Sequence, residues 1–224
     1  MGELFSCLRE NEGPVLVRAA MAHLNLAMIH PFKDGNGRMA RCLHTIVLTR
    51  ERILAPLFSS IEVQLGRDTE AYYAVLGEVG HDSWHPERDA RPWVRFCLNA
   101  HFRQAQRHLR LVREAEELWG RCEDLAAEAR LPGRVVGPLC DAARGLQLRN
   151  WSYRLAVEES EGVKIDVSTA SRDFRSLVDH ELLTAQGETK GRYYTAADKL
   201  TAVHSSLRAT RAKRDTTDLF GKQG

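Results

Sequence analysis

Apolar residues recur every three or four positions along most of the chain, the spacing that places them on one face of an α-helix. Helices are predicted over residues 4–10, 15–29, 69–79 and 91–130. Helical spacing also resumes after residue 42. The intervening residues 30–41 are mostly polar and contain two glycines. We therefore predict a loop there that leads directly into a second helix.

A different pattern follows Leu131-Pro132-Gly133, a helix-breaking sequence that marks the predicted domain boundary. Three shorter helices and a β-hairpin are predicted beyond it, with Ser168 as the N-cap of the third helix. The helices span 135–144, 152–158 and 168–180, and the strands lie near 182–184 and 192–195. Three helices followed by a two-stranded wing are typical of a winged helix-turn-helix domain, whose third helix enters the major groove of DNA.

The third of these helices and the hairpin carry the candidate contacts to double-stranded DNA. Hydroxyl and guanidinium groups are typical contacts to phosphates and bases. The candidates are Thr169, Ser171, Arg172 and Arg175 on the helix, with Lys190 and Arg192 on the hairpin. Many winged helices mediate only protein contacts, and the acidic residues Asp173, Asp179 and Glu181 reduce the positive charge here. Both interpretations therefore stay open at the level of the sequence.

The second half of the long helix predicted over 91–130 has apolar residues at alternating spacings of four and three. They are Leu111, Ala115, Leu118, Cys122, Leu125 and Ala129. This spacing is typical of a coiled coil, and a homodimer would bury the row between two copies. Alanine and cysteine occupy half of the row, which favours packing within the chain instead. The sequence near the C-terminus is polar and basic, which predicts a flexible tail over 202–224.

Composition restricts the class of protein. With 224 residues, of which 43% are apolar and 28% charged, the chain can bury one large or two small cores. A net charge of +2 is too small to indicate nucleic-acid binding by the whole chain. The five cysteines include no Cys-x-x-Cys pair, so neither a disulfide framework nor a zinc ribbon is predicted. Neither a membrane span nor a signal peptide is evident and reduced thiols are the default for such cysteines, so we expect a cytoplasmic protein. We also expect the protein to be bacterial.

Residues 30–41, His-Pro-Phe-Lys-Asp-Gly-Asn-Gly-Arg-Met-Ala-Arg, combine the residue types of an anion-binding site. Gly35 and Gly37 let the backbone approach an oxygen-rich ligand, and the following helix adds free N–H groups and the positive end of its dipole. Arg38 and Arg41 lie three positions apart on one face of the first helical turn, where they can hold phosphate oxygens. Asn36 adds a neutral donor.

Two further residues of this segment suggest a reaction. Asp34 offers a carboxylate suited to a Mg²⁺ ion that bridges phosphates. Histidine is the side chain whose ordinary pKa suits removal of a proton from a hydroxyl at neutral pH, and His30 stands immediately before the loop. Together they indicate transfer of part of a nucleoside triphosphate to a hydroxyl acceptor, with His30 as the base.

The segment from His30 to Arg41 matches the whole signature of the Fic family, His-x-Phe-x-(Asp/Glu)-Gly-Asn-Gly-Arg-x-x-Arg, and the chain resembles that family over roughly residues 4–110. The resemblance implies an all-α Fic-type domain that transfers AMP from ATP to a Ser, Thr or Tyr hydroxyl of a target protein, with Mg²⁺ as cofactor. It implies that His30 is the general base and Asp34 the Mg²⁺ ligand. The nucleotide site that it implies consists of Gly35, Asn36, Gly37, Arg38, Arg41 and Tyr73.

Together with the boundary at Leu131-Pro132-Gly133, the resemblance predicts four parts. They are a Fic domain core over 1–110, a connecting helix over 111–131, a small α+β winged helix-turn-helix domain over 132–201, and the tail. Family members carry a β-hairpin flap before the motif that positions the acceptor. Only 29 residues precede His30, so we expect the flap to lie outside these 224 residues. The segment Ser6–Asn11 fits the family's inhibitory pattern, (Ser/Thr)-x-x-x-Glu-(Gly/Asn), which implies that Glu10 pairs with Arg41.

Two alternatives to AMP transfer stay open. In one, the chain is a DNA-binding regulator whose Fic domain binds nucleotide with little or no turnover. In the other, the same motif uses a different nucleotide or phosphate donor. Some family members have an asparagine seven positions after the tyrosine that corresponds to Tyr73, whereas this chain has Gly80. The contacts to the base and ribose are therefore not defined by the resemblance.

Overall fold

The computed structural model describes residues 1–10, 13–51, 61–80, 85, 87–188, 191–211 and 219–220, without the side chains of residues 3, 7, 10, 210 and 211. The described residues are mostly helical and include a two-stranded antiparallel sheet. The chain divides into two compact units, Met1–His108 with Thr217–Gly224, and Leu109–Thr216. Across the ranges given above, no helix combines the length and apolar character needed to cross a membrane.

The first unit is helical. Its helices are α1 (Gly2–Glu10), α2 (Val15–Ile29), α3 (Asn36–Arg50), α4 (Glu62–Arg67), α5 (Thr69–Gly80) and the first part of α6 (Arg91–Glu128). Pro14 is the N-cap residue of α2, and the glycine-rich segment separates α2 from α3, so local sequence signals fix both helix starts. The predicted arrangement of two helices joined by a polar loop is confirmed.

Small side chains let α2, which precedes the loop, and α3, which follows it, pack closely against each other. Ala19 and Ala22 of α2 pack against Val47 and Leu48 of α3. Alanine lets two helix backbones approach closely, so the loop between them is held at both ends. On another side of α2, the buried Trp93 of α6 donates its indole N–H to the carbonyl oxygen of Ala20 over 2.7 Å.

The second unit contains the rest of α6, three helices, a hairpin and a last helix. A short 3₁₀ turn at Gly133–Val135 leads into α7 (Val136–Ala143), α8 (Asn150–Glu161), α9 (Val167–Asp179), β1 (Leu183–Gln186), β2 (Tyr193–Ala196) and α10 (Asp198–Arg211). The strands pair antiparallel, with Leu183 opposite Ala196. The ring of Tyr194 stacks on the buried Phe174 at a centroid distance of 4.1 Å, which packs the hairpin onto α9. The predicted order of three helices and a hairpin is therefore present.

The structure corrects two predictions for the second unit, the N-cap of its third helix and the extent of the tail. It also bears on whether α6 packs within the chain or in a dimer. The N-cap of α9 is Asp166, not Ser168, because the Asp166 carboxylate accepts the Thr169 N–H over 2.6 Å. Residues 202–211 belong to α10 and are not a flexible tail, whereas most of 212–224 lies outside the described residues. Leu118 and Cys122 of α6 are buried in the core of this unit, in agreement with packing within the chain.

Candidate functional site

The loop between α2 and α3 is held by two residues with left-handed backbone conformations. His30 ends α2 with φ 51° and ψ 54°, and its N–H donates to the carbonyl oxygen of Leu26 over 3.1 Å. Gly35 begins α3 with φ 85°. A left-handed conformation costs a residue other than glycine about 1–2 kcal/mol, so the position of His30 must be stabilised by its surroundings.

Asn36 closes the loop. Its side chain is buried, and its Oδ1 accepts the Phe32 N–H over 3.0 Å while its Nδ2 donates to the Phe32 carbonyl oxygen over 2.6 Å. Both ends of the amide therefore bind the backbone of one residue four positions earlier. Asn36 was predicted as a neutral donor to a nucleotide. In this conformation its side chain fixes the loop, and its backbone N–H belongs to the open first turn of α3.

The imidazole of His30 is exposed, and a hydrogen bond fixes its orientation. Its Nδ1 lies 3.2 Å from the carbonyl oxygen of Ala27. A carbonyl oxygen only accepts, so Nδ1 carries the hydrogen in this contact. The neutral ring then has its lone pair on Nε2, on the opposite edge. His30 thus presents a basic nitrogen to solvent directly before the glycine-rich turn.

Asp34 and Arg38 form an exposed pair at the start of α3. One carboxylate oxygen of Asp34 accepts the Gly35 N–H over 2.7 Å, and the other lies 3.1 Å from Nη2 of Arg38. The side chains are 91% and 71% exposed respectively, so both remain accessible to a ligand. A Cβ atom at Gly35 would lie 3.5 Å from Nη2 of Arg38, which places this guanidinium beside the turn.

Arg41 occupies the other side of the turn and is held more firmly. Its Nε–H donates to Glu62 of α4 over 3.1 Å, and a Cβ atom at Gly37 would lie 3.4 Å from its Nη1. Burial raises the pKa of Tyr72, while the charge of Arg41 and a hydrogen bond with it oppose that rise. Among the side chains that the structure describes, the carboxylate paired with Arg41 is that of Glu62. The side chain of Glu10, which was predicted to pair with Arg41, lies outside the described residues.

A buried layer of histidines lies behind Arg41. His23 is fully buried, and its Nε2 lies 3.2 Å from the Tyr72 hydroxyl. His44 is fully buried as well, and its Nε2 lies 2.8 Å from Nε2 of His101. Burial is the main cause that lowers the pKa of His23 to about 3, that of His44 to about 2 and that of His101 to about 4. All three rings are therefore neutral at neutral pH, so the positive charge of this region comes from the arginines.

Tyr73 and Gly80, both on α5, differ in their surroundings. The side chain of Tyr73 is 65% exposed, with its ring 5.1 Å from that of Tyr72. It is therefore available to a ligand, as the prediction of a nucleotide contact requires. A Cβ atom at Gly80 would collide with the thioether of Met28. The asparagine found in some family members would need Met28 to move, which gives a packing reason for glycine here.

In the second unit, some of the predicted DNA contacts lie together. Ser171, Arg175 and Arg192 line one pocket, whereas Thr169 and Arg172 are not among its lining residues. Thr169 uses its backbone N–H at the N-cap of α9. Lys190 lies outside the described residues. The predicted set is therefore only partly brought together.

Sequence reasoning missed the residues whose role depends on contacts between distant segments. Glu62 lies 21 positions after Arg41, and the motif contains no signal for this pair. The same holds for the contact between His44 and His101. Arg149 and Trp151 line the pocket of the second unit but precede the predicted recognition helix, so the pattern of a winged helix did not select them.

Comparison with known proteins places the motif in a family. Residues 1–48 match the sequence model of the Fic/DOC family. The chain is 30% identical over 100 residues to protein adenylyltransferase fic-1 of Caenorhabditis elegans, an alignment that covers 45% of this chain and 17% of that protein. It is 37% identical over 78 residues to protein adenylyltransferase Fic of Nematostella vectensis, covering 35% and 16%. The chain thus spans less than a fifth of the length of these curated relatives.

A solved structure is also similar to the chain. It is the crystal structure of a Fic family protein from Desulfovibrio desulfuricans G20, which has 20% sequence identity and a TM-score of 0.46. The match covers 88% of this chain and 53% of that one. The complete motif from His30 to Arg41, the family match over residues 1–48 and the adenylyltransferase relatives agree with one another. The N-terminal segment of the chain, which carries this motif, is therefore similar to the Fic/DOC family.

Proposed function

We propose that this protein transfers AMP from ATP to a serine, threonine or tyrosine hydroxyl of a target protein. The observation that carries the proposal is the geometry of the loop between α2 and α3. His30 presents Nε2 to solvent, and Arg38 and Arg41 flank the two glycines at the open N-terminus of α3. A base beside a phosphate-binding turn is the arrangement that nucleotidyl transfer to a hydroxyl requires.

The proposed reaction assigns one role to each group. The acceptor oxygen attacks the α-phosphorus of ATP and forms the new P–O bond, while the bond between that phosphorus and the bridging oxygen of pyrophosphate breaks. The hydroxyl proton passes to Nε2 of His30, and pyrophosphate leaves with the electron pair of the broken bond. The backbone N–H groups of the first turn of α3, with Arg38 and Arg41, stabilise the negative charge on the phosphate oxygens.

The site also fits a magnesium ion, held by Asp34. Within the ranges that the structure describes, no group of three or more His, Cys, Asp and Glu side chains could hold a metal ion by itself. Mg²⁺ does not need such a group, because one protein carboxylate, phosphate oxygens and water complete its shell. Asp34 is 91% exposed and meets this requirement. Bound there with ATP, the ion would neutralise charge on the phosphates.

We further propose that the second unit is a winged helix-turn-helix domain. The support is the order of α7, α8 and α9 followed by the β1–β2 hairpin. Tyr194 of β2 stacks on Phe174 of α9, so the hairpin packs against the third helix as a wing does.

Transfer of label from ATP tests the proposal. The full chain is incubated with Mg²⁺, a protein extract, and ATP labelled either on the α- or on the γ-phosphate. We expect protein labelling from the α-label only, and His30→Ala should abolish it. His180→Ala is the matched control, because His180 is also exposed and also bonds a backbone carbonyl oxygen through Nδ1.

Three results would contradict the proposal. Equal labelling by His30→Ala would exclude His30 as the base. Transfer from the γ-label would indicate a kinase reaction instead of AMP transfer. Stronger protein labelling from another α-labelled nucleoside triphosphate than from α-labelled ATP would identify a different donor.

A further inference from the structure

A pocket of about 530 Å³ lies in the second unit, among α8, α9 and the hairpin. Its lining residues are Arg149, Asn150, Trp151, Val167, Ser171, Arg175, Val178, Ala185, Arg192 and Tyr194. The proposed AMP transfer uses none of them. Three of the ten are arginines and none is acidic, so the lining has a marked positive charge.

The three guanidinium groups are available to a ligand. Arg175 and Arg192 are exposed and Arg149 is half-buried. Considering only the part of the chain that the structure describes, none of the three forms an ion pair. Arg149 lies over the ring of Tyr193, with Cζ 5.8 Å from the ring centroid, a contact that leaves its N–H groups for an anion.

The acidic residue nearest in sequence to these arginines is neutralised inside the fold. Asp173 is 5% exposed, and Arg134 binds both of its carboxylate oxygens, over 2.8 and 2.9 Å. The Tyr153 hydroxyl donates to it over 2.7 Å. Asp173 therefore points away from the exposed face of α9 and is satisfied by its own cation. Arg172 and Arg175 determine the charge of the middle of that face.

The floor and the rim of the pocket suit a nucleic-acid backbone. Val178, Ala185 and Tyr194 supply apolar surface, and the indole of Trp151 is 64% exposed at the start of α8. Asn150 donates to the carbonyl oxygen of Val167 and to the Ser171 hydroxyl, which fixes the start of α8 against α9. A nucleic-acid backbone offers the C–H groups of its sugars to apolar surface next to the phosphates that the charged groups hold. An isolated inorganic anion would need neither Trp151 nor the apolar floor.

We propose that this pocket binds the phosphate backbone of double-stranded DNA, with Arg149, Arg175 and Arg192 as the phosphate contacts. Trp151 packs against a deoxyribose at the edge of the pocket. The exposed hydroxyl of Ser168 and the guanidinium of Arg172 continue the polar surface along α9, toward the groove beside the bound strand. Because phosphates carry no sequence information, binding through this pocket is independent of sequence.

The salt dependence of binding tests the phosphate contacts. The full chain is titrated into a fluorescent DNA duplex of arbitrary sequence at several salt concentrations. Each phosphate contact contributes about 0.9 to the slope of log K against log salt. We expect Arg175→Gln and Arg192→Gln each to reduce the slope by about that amount. Trp151→Ala should weaken binding and leave the slope unchanged, because it removes contact area and no charge.

Two controls separate this proposal from simpler explanations. Arg121→Gln removes one exposed arginine of the same unit outside the pocket, and it should leave the slope unchanged. His30→Ala should bind DNA like the wild type, so failure of AMP transfer and failure of DNA binding are distinguishable. Absence of duplex binding at low salt, an equal effect of Arg121→Gln, or equally tight binding of a single strand or of free nucleotide would each overturn the proposal.

Discussion

The Nε–H of Arg41 donates to the carboxylate of Glu62 over 3.1 Å, and Nη1 of the same guanidinium lies over Gly37. The arginine at the end of the Fic motif is therefore bound by α4 through its Nε–H, while its Nη1 lies beside the glycine-rich turn. Arg41 is 26% and Glu62 54% exposed, so solvent weakens the pair without abolishing it. Glu62 orients the Arg41 guanidinium. Its negative charge also lowers the positive potential that a bound phosphate would meet.

Glu62→Gln should therefore bind ATP more tightly than the wild type. Glutamine keeps an oxygen that accepts the Nε–H of Arg41 but removes the negative charge beside the phosphates. A partly exposed charge of this kind contributes about 0.5 kcal/mol, which corresponds to a gain of roughly two- to threefold in affinity. Fluorescence titration with a labelled ATP analogue measures this affinity, and the gain should be smaller at high salt.

Two further variants show whether the effect comes from the pair itself. Glu78→Gln, on the exposed face of α5, removes the same charge elsewhere in the unit and should leave the affinity unchanged. Glu62→Ala removes the acceptor together with the charge, so it should gain less than Glu62→Gln. Equal affinity of Glu62→Gln and wild type would show that Glu62 does not control Arg41.

The two glycines of the motif should respond differently to alanine. Gly35 has φ 85°, so Gly35→Ala strains the backbone and should lower the free energy of unfolding by about 1–2 kcal/mol. Gly37 lies within α3, and its added Cβ would meet Arg41 only at 3.4 Å. Gly37→Ala should therefore fold with nearly wild-type stability and lose affinity for ATP, because the methyl group covers the face that a phosphate approaches. Urea unfolding measures the loss of stability, and nucleotide titration measures the loss of affinity for ATP. Equal stability losses in the two variants would contradict the different roles assigned to Gly35 and Gly37.

The elements around the site were predictable because their signals are local. Val15–Ile29 was predicted at its observed bounds, since Pro14 precedes the apolar pattern and His30-Pro31 ends it. The contacts of Arg41 with Glu62 and of His44 with His101 were not predictable, because they join residues 21 and 57 positions apart through tertiary packing. The cap of α9 was predicted wrongly for a different reason. Asp166 and Ser168 are both good N-cap residues, and only the register of the helix decides between them.

The histidines of the first unit should make its stability depend on pH. The folded state lowers the pKa of His23 to about 3, that of His44 to about 2 and that of His101 to about 4, from an unfolded value of 6.5. Below pH 6.5 the unfolded chain binds protons that the folded chain does not, so stability falls as the pH falls. Each group contributes about 1.4 kcal/mol per pH unit until its folded pKa is reached.

Urea unfolding at pH 7.5 and at pH 5 measures this dependence. The wild type should lose several kcal/mol over this interval, and His101→Gln should lose less, because it removes one of the three groups. His204→Gln is the matched control, since His204 lies on α10 of the second unit. A wild type equally stable at both pH values would show that these rings are already protonated or hydrated in the folded state.

The ion pair of Asp173 and Arg134 should contribute more to stability than any exposed pair of the second unit. Asp173 is almost fully buried and receives three hydrogen bonds, from both guanidinium contacts and from Tyr153. Breaking a buried pair leaves a charge without its partner, at a cost of about 3 kcal/mol. Because the Arg134 side chain is 26% exposed, water offsets part of that cost, and Asp173→Asn should lower the free energy of unfolding by about 2 kcal/mol.

Asp141→Asn, which breaks an exposed pair with a separation of 3.9 Å, is the control and should cost less than about 0.5 kcal/mol. Similar losses of unfolding free energy for the two variants would contradict this prediction. They would mean that the Asp173 carboxylate is hydrated in solution and adds its negative charge to the exposed face of α9.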